Sequence, residues 1–143
     1  MLTIAICCGG GLSSSALANH LEQEVHRLHL ENDVKFVFQP FRFIKKVEDE
    51  CDIAMLCPHL EWGAAETAKW FSKPMYIIPP RLYGLMDVTS FVEDAQDIIE
   101  MSKETGLGKV LHFPGEERTI RISRITSHRR WLEKKQSEKD SQK

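Results

Sequence analysis

The chain opens on Leu2-Thr3-Ile4-Ala5-Ile6-Cys7-Cys8-Gly9-Gly10-Gly11-Leu12-Ser13-Ser14-Ser15, an unbroken apolar run followed by three glycines and a cluster of hydroxyls. An apolar run that does not alternate with polar residues suits a strand covered on both faces. Beyond it Leu12, Ala16, Leu17, His20, Leu21, Val25 and Leu28 recur with helical periodicity. The opening therefore predicts a strand, a tight glycine turn and a helix. The alternation continues: residues 34–38 predict a second strand, Phe43, Ile44 and Val47 a short helix, residues 52–56 a third strand, and Leu60, Ala64, Ala65, Ala68 and Phe71 a helix. Residues 75–78 predict a fourth strand, and Val88, Phe91, Val92, Ala95, Ile98 and Ile99 a long closing helix. Four strand-helix units in succession imply a three-layer α/β domain, a parallel sheet with helices on both faces joined by right-handed crossovers. Ligands of such sheets sit at the carboxyl ends of the strands. That nominates four loops, at residues 8–15, 40–42, 57–62 and 79–84.

Composition agrees with a folded domain. With 143 residues, 42% of them hydrophobic and 28% charged, and a net charge of -2, the chain is close to the globular average. A chain of this size buries about two thirds of its unfolded surface without metal or disulfide, so disordered, collagenous and small stapled classes are excluded. No apolar run reaches the roughly 18 residues of a membrane span. Met1 leads into the first strand without a charged region or cleavage site, so a cytoplasmic protein is expected. Cys7, Cys8, Cys51 and Cys57 lack zinc-ligand spacing, and in a reducing compartment the free thiol is the default for all four.

Charge is spread unevenly. Residues 105–143 hold ten Lys and Arg against five acids, net +5, whereas the preceding residues hold nine against sixteen, net -7. With Gly106-Leu107-Gly108 as punctuation, this places a domain at residues 1–104 and a basic C-terminal extension at 105–143, disordered from about Gln136. Within the extension Arg118, Arg121 and Arg124 recur every three residues. A solvated extension is the first reading; an extra strand or helix, a docking arm for a membrane-bound partner and an anionic-surface contact are the alternatives. Nucleic-acid binding is not expected, because the main domain is acidic and carries no motif for it.

The first loop carries the chemistry. A glycine-rich turn between strand and helix collects unpaired backbone N–H groups at the positive helix end, and three hydroxyls add donors, so Gly9, Gly10, Gly11, Leu12, Ser13, Ser14 and Ser15 would cradle a phosphate. The thiolate of a cysteine at this place is stabilised by the same field, which makes Cys8 the candidate nucleophile. Cys7 should point to the opposite face of the strand, as a small core residue. No Gly-Lys-Ser/Thr closes the loop, so it is not a nucleotide-binding P-loop, and Ser14 stands where a dinucleotide fingerprint needs its third glycine. Counted from Cys8, Ser14 also takes the place of the arginine of a C-x5-R thiol phosphatase. Without that arginine, a phosphocysteine handed on to another acceptor is better supported than one that is rapidly hydrolysed.

These residues resemble the lactose/cellobiose-type enzyme IIB component of the bacterial sugar phosphotransferase system. That family's opening strand runs into Cys-Ser-Ala-Gly-Met-Ser-Thr-Ser, similar to Cys8-Gly9-Gly10-Gly11-Leu12-Ser13-Ser14-Ser15. Its third strand, Asp-Val-Val-Leu-Leu-Gly-Pro-Gln, is similar to Asp52-Ile53-Ala54-Met55-Leu56-Cys57-Pro58-His59. Its Lys-Pro-Val-x-Val-Ile before a Tyr-Gly pair is similar to Lys73-Pro74-Met75-Tyr76-Ile77-Ile78 and Tyr83-Gly84. The likeness runs in order through about residue 103. Departures are Gly9 and Gly10 for Ser and Ala, Cys57 and His59 for Gly and Gln, and Pro79-Pro80 for an Asp-containing segment.

The resemblance implies a four-stranded parallel sheet of order 2-1-3-4, akin to the low-molecular-weight phosphatase and flavodoxin-like folds. It also implies a phosphotransferase that takes a phosphoryl group from a phosphohistidine of IIA onto Cys8 and passes it to a sugar held by the membrane IIC component during uptake. Cofactors and metals are not implied. Pro58, His59 and Tyr83 stand as second-loop contacts, and location would be cytoplasmic, at the periphery of the membrane transporter. Cys57 should share a sheet edge with Cys8, which would permit a regulatory disulfide. The competing readings are a thiol-dependent phosphatase or arsenate-reductase-like enzyme, and a non-catalytic phosphate-binding regulatory module. The particular disaccharide or oligosaccharide is not written in this chain.

Overall fold

The computed structural model describes residues 1–8, 12–85, 87–118, 122 and 124–141, without the side chains of residues 12–15, 61, 62, 140 and 141. Strand β1 (Leu2–Cys8) lies between two parallel neighbours, β2 (Val34–Pro40) and β3 (Ile53–Leu56), and its last five residues are buried. Strands β4 (Met75–Ile77) and β5 (Val110–Leu111) continue the sheet, also in parallel, in the order β2-β1-β3-β4-β5. Among the described residues the α-helices are α1 (Leu12–Arg27), α2 (Glu61–Ala68), α3 (Pro80–Leu85), α4 (Val88–Thr105) and α5 (His128–Ser141).

Alternating side chains of the central strands feed two cores. Ile4, Ile6 and Cys8 of β1, with Ile53 and Met55 of β3, meet Leu17 and Leu21 of α1 and Phe91, Ala95 and Ile98 of α4. On the other face Ala5 and Cys7, with Ala54 and Leu56, meet Ala64 and Ala68 of α2 and Ile44 and Val47 of a 3-10 segment, Phe41–Val47. Because residues 4–8 of β1 and all of β3 are buried, those stretches are apolar throughout. The three-layer α/β architecture and the parallel sheet are as the sequence predicted.

Three elements depart from the sequence reading. The sheet has five strands rather than four; β5 is only Val110–Leu111 and follows the turn at Gly106 and Gly108, whose positive φ values of 86° and 95° suit glycine. Two residues are too few to show a period. The segment 79–84, read as a loop, carries α3, with Pro80 at the first helical position, where a missing N–H costs nothing.

The third departure concerns the basic extension. Its residues 119–121, 123, 142 and 143 lie outside the described residues, but Arg124 is 3% exposed. Its guanidinium donates to Glu116 Oε2 (2.8 Å) and Oε1 (3.0 Å), Asp94 Oδ2 (2.9 Å), the Tyr76 hydroxyl (2.8 Å) and the Thr126 carbonyl (2.8 Å). All five of its N–H donors are thereby used. Phe113 stacks on His128 at 4.1 Å and meets Tyr76 edge-on at 5.7 Å. Helix α5, which runs through the expected disordered stretch as far as Ser141, is tied to α4 by Arg129–Asp97 (2.8 Å) and Arg130–Glu93 (2.6 Å). A solvated extension therefore does not describe Glu116, Arg124, Arg129 and Arg130, whose charges have buried or helix-bound partners.

Candidate functional site

The strand order fixes where a ligand can enter. From β1 the chain goes to β2 on one side and returns to β3 on the other, so the connections diverge between β1 and β3 and leave a crevice at the carboxyl edge there. In the order 2-1-3-4-5 this switch point is the ligand site of flavodoxin-like sheets. Cys8 ends β1 and Cys57 follows β3, one on each side of the crevice.

Cys7 is the ladder partner of Leu56, and the Cys57 N–H donates to the Cys7 carbonyl at 3.1 Å. The next residues along both strands, Cys8 and Cys57, lie side by side with a Cα–Cα separation of 5.2 Å and form a disulfide. The expectation of free thiols is corrected for this pair. Its reason is positional: both side chains project into the same core face, from adjacent parallel strands.

Cys7 and Cys51 are free and buried. Burial, with Cys51 adding to it, pushes the Cys7 thiol up to about 12; burial likewise raises Cys51 to about 11 despite the nearby Lys73 ammonium. Both stay protonated and inert near neutrality. Cys7 does face the core opposite to Cys8, as the alternation along β1 required.

Of the phosphate-loop candidates, Gly9, Gly10 and Gly11 lie outside the described residues. Leu12 is the first residue of α1, and Ser13, Ser14 and Ser15 belong to its first turn, their side chains outside the description. Helix α1 has 16 residues and no acid in its first turn, so no carboxylate of its own competes for the positive N-terminal field.

Two other connections reach the same edge. Pro58 opens a single 3-10 turn, Pro58–Leu60, closed by the Leu60 N–H on the Cys57 carbonyl at 3.0 Å, and His59 on that turn is exposed. Tyr83 of α3 and Leu60 pack against the core cluster that holds Cys8 and Cys57. The Tyr83 hydroxyl is buried and has no hydrogen-bond partner among the described residues. A buried phenol without an acceptor costs roughly 1–3 kcal/mol, which an incoming oxyanion would relieve. From the nominated loop at residues 40–42, Pro40 is the ladder partner of Cys8, and Arg42 is exposed with its guanidinium 4.9 Å from the Phe43 ring centre. The connections that leave this edge thus carry a cysteine, a helix N-terminus, a buried tyrosine and an exposed arginine. No group of His, Cys, Asp and Glu among the described residues is arranged to hold a metal.

A family model for the lactose/cellobiose-specific IIB subunit of the phosphotransferase system matches residues 3–94. A search of curated proteins gives no match. Among solved structures, the chain is similar to the solution structure of the cellobiose-specific phosphotransferase IIB component protein from Borrelia burgdorferi. The TM-score is 0.52 and the identity 19%, over 77% of this chain and 96% of that one. At that identity the structural likeness speaks for the fold. The family match spans β1 to the middle of α4, and so takes in Cys8, residues 9–15, Pro58, His59 and Tyr83.

Proposed function

Because the chain belongs to the lactose/cellobiose-specific IIB family of the sugar phosphotransferase system, we propose that it is a phosphocarrier whose acceptor atom is Cys8 Sγ. The observation that carries this reading is the position of Cys8, at the carboxyl end of β1, beside the switch point and four residues before the start of α1. In the first transfer the reduced Cys8 thiolate attacks the phosphorus of a phosphohistidine on a IIA partner, in line with the leaving imidazole nitrogen. The P–N bond breaks as the S–P bond forms. In the second, a sugar hydroxyl bound by a membrane IIC partner displaces the sulfur, giving a phosphate ester and the thiolate again.

Positioning and electrostatics supply most of what such a transfer needs. A phosphoryl group on sulfur carries close to two negative charges, which the N-terminal field of α1, the backbone N–H groups of residues 9–15 and the hydroxyls of Ser13, Ser14 and Ser15 would offset. The Tyr83 hydroxyl would donate to one equatorial oxygen, and Pro58 and His59 would border the docking face. No helix among the described residues is long and apolar enough to cross a membrane. Transport of the sugar therefore falls to the IIC partner, with this chain docked at its cytoplasmic side.

The test is to reduce the full chain with dithiothreitol, add a phosphorylated IIA protein of the lactose/cellobiose type and locate the label by mass spectrometry. A single phosphoryl group on Cys8, absent from Cys8→Ser and retained in Cys7→Ser, is expected. Label on a Cys8→Ser protein would overturn the assignment. Hydrolysis of an aryl phosphate without acceptance from any IIA donor would replace it with a thiol phosphatase.

A further inference from the structure

We propose that Cys8 and Cys57 form a peroxide-oxidisable dithiol site in which Cys57 is the resolving cysteine, and that its oxidation withholds Cys8 from phosphoryl acceptance. The first half stands on the strand geometry alone; the second rests on Cys8 being the phosphoryl acceptor, as proposed above.

The geometry is independent of the bond between the sulfurs. The Cys7–Leu56 pairing and the 3.1 Å hydrogen bond from Cys57 N–H to Cys7 C=O belong to the β1–β3 ladder, in the middle of a five-stranded sheet. That ladder holds the two Cα atoms 5.2 Å apart, inside the 4.4–6.8 Å span that a disulfide requires. The ladder therefore keeps the two cysteines within disulfide reach of each other whether or not their sulfurs are joined. This separates the pair from Cys7 and Cys51, which are buried in the other core face, unpaired, with thiols raised to about 12 and about 11. Of the four cysteines, the only disulfide joins the two that flank the switch point.

The chemistry balances with a hydroperoxide as the oxidant. Cys8 thiolate attacks the terminal peroxide oxygen, the O–O bond breaks, and an alcohol or water leaves once the alkoxide or hydroxide is protonated; Cys8 becomes a sulfenic acid. Cys57, as thiolate, attacks Cys8 Sγ and expels hydroxide, which takes up the Cys57 proton as water. Two electrons pass from the sulfur pair to the peroxide. A dithiol reductant restores both thiols through a mixed disulfide and is itself oxidised. The consequence for transfer is direct. A sulfur engaged in a disulfide has no lone thiolate to attack phosphorus, and a phosphorylated Cys8 cannot be oxidised this way, so the two states exclude each other.

The experiment uses the full chain, fully reduced, freed of the reductant and then treated with several equivalents of hydrogen peroxide, beside Cys57→Ala. Linked peptides are read by mass spectrometry with fragmentation, because Cys7 shares a tryptic peptide with Cys8 and Cys51 shares one with Cys57. The parent is expected to form the Cys8–Cys57 link, to lose acceptance of phosphate from phosphorylated IIA completely, and to regain it with dithiothreitol. Cys57→Ala is expected to accept phosphate when reduced, but after peroxide to carry sulfinic acid on Cys8 and to regain nothing. Failure of the link to form in the parent, with Cys8 over-oxidised as fast as in Cys57→Ala, would overturn the proposal. Undiminished acceptance by the linked protein would do the same. If the reduced parent accepts nothing, the phosphoryl reading is lost and the regulatory half with it, while the presence or absence of the link still decides the dithiol site.

Discussion

The buried hydroxyl of Tyr83 offers the sharpest probe of what the proposed site binds. Tyr83 is placed by α3, its N–H held on the Pro79 carbonyl at 2.9 Å, and its hydroxyl is buried without a partner among the described residues. If that hydroxyl donates to a phosphoryl oxygen, it acts on the charged state and not on the resting one. Hydrogen bonds to charged groups contribute about 1.5–3 kcal/mol, so Tyr83→Phe is expected to slow phosphoryl acceptance by roughly 10- to 100-fold. Removing an unsatisfied phenol should at the same time leave stability unchanged or raised. The comparison is between initial labelling rates and thermal midpoints for the two proteins. A loss of stability with an unaltered rate would assign Tyr83 to packing alone. Cys8 itself was legible from sequence, because an apolar run ending in cysteine, three glycines and a hydroxyl-rich helix start follow one another without a gap. The bond to Cys57 was less so, since it depends on β3 lying beside β1, which 49 intervening residues do not write locally.

Among the elements, strands and helices with a full period were readable, and those without one were not. β1 to β4, α1, α2 and α4 follow from apolar runs and helical spacing; α3 has six residues and β5 two, too few for either signal. The basic extension misled for a different reason. Arginines at every third position suggest a solvated surface unless their partners are known, and the partners of Arg124 lie 8, 30 and 48 residues away, in Glu116, Asp94 and Tyr76. The resulting cluster acts as a clasp. Asp94 of α4 accepts from Arg124 through Oδ2 and from the first N–H of α5, that of His128, through Oδ1 at 2.8 Å, so one carboxylate caps α5 and pairs with the arginine. Deleting one member of a buried ion cluster leaves its partners' charges uncompensated, at a cost of about 3–5 kcal/mol. Arg124→Ala is expected to destabilise the chain by that amount in urea unfolding. Arg118→Ala, at an exposed position, should stay within about 0.5 kcal/mol of the parent. Equal, small losses in both would show that the clasp does not hold the extension.

At the scale of the whole molecule the same cluster ties stability to pH. Asp94 is fully buried, and burial raises its carboxyl from the ordinary 3.8 to about 6, against the pull of the Arg124 guanidinium and the His128 amide in the opposite direction. The groups facing it are Arg124, Glu116 and the Tyr76 hydroxyl, the last held well above its usual 10 mainly by burial. A folded-state pKa above the unfolded one means that the folded chain binds more protons between those two values. The contribution of Asp94 is then fully present below about pH 4 and is lost as pH rises through about 6. For a shift of this size it amounts to a few kcal/mol at most, since one unit is worth about 1.4 kcal/mol. Surface carboxylates such as the half-buried Glu24 and the exposed Glu31, both lowered by hydrogen bonding and neighbouring positive groups, push the other way, with stability lost as pH falls. The separation is made by measuring urea unfolding from pH 4 to 8 for the parent and for Asp94→Asn, which cannot titrate. The difference in unfolding free energy, parent minus variant, is expected to fall between about pH 4 and about 6 and to be flat above about 7, with half of the change complete at about pH 5, midway between the unfolded and folded pKa values. A difference that rises over the same interval would mean that Arg124 and the α5 amide outweigh burial and hold Asp94 below its ordinary value. The clasp would then be an ion pair at every pH at which the protein folds.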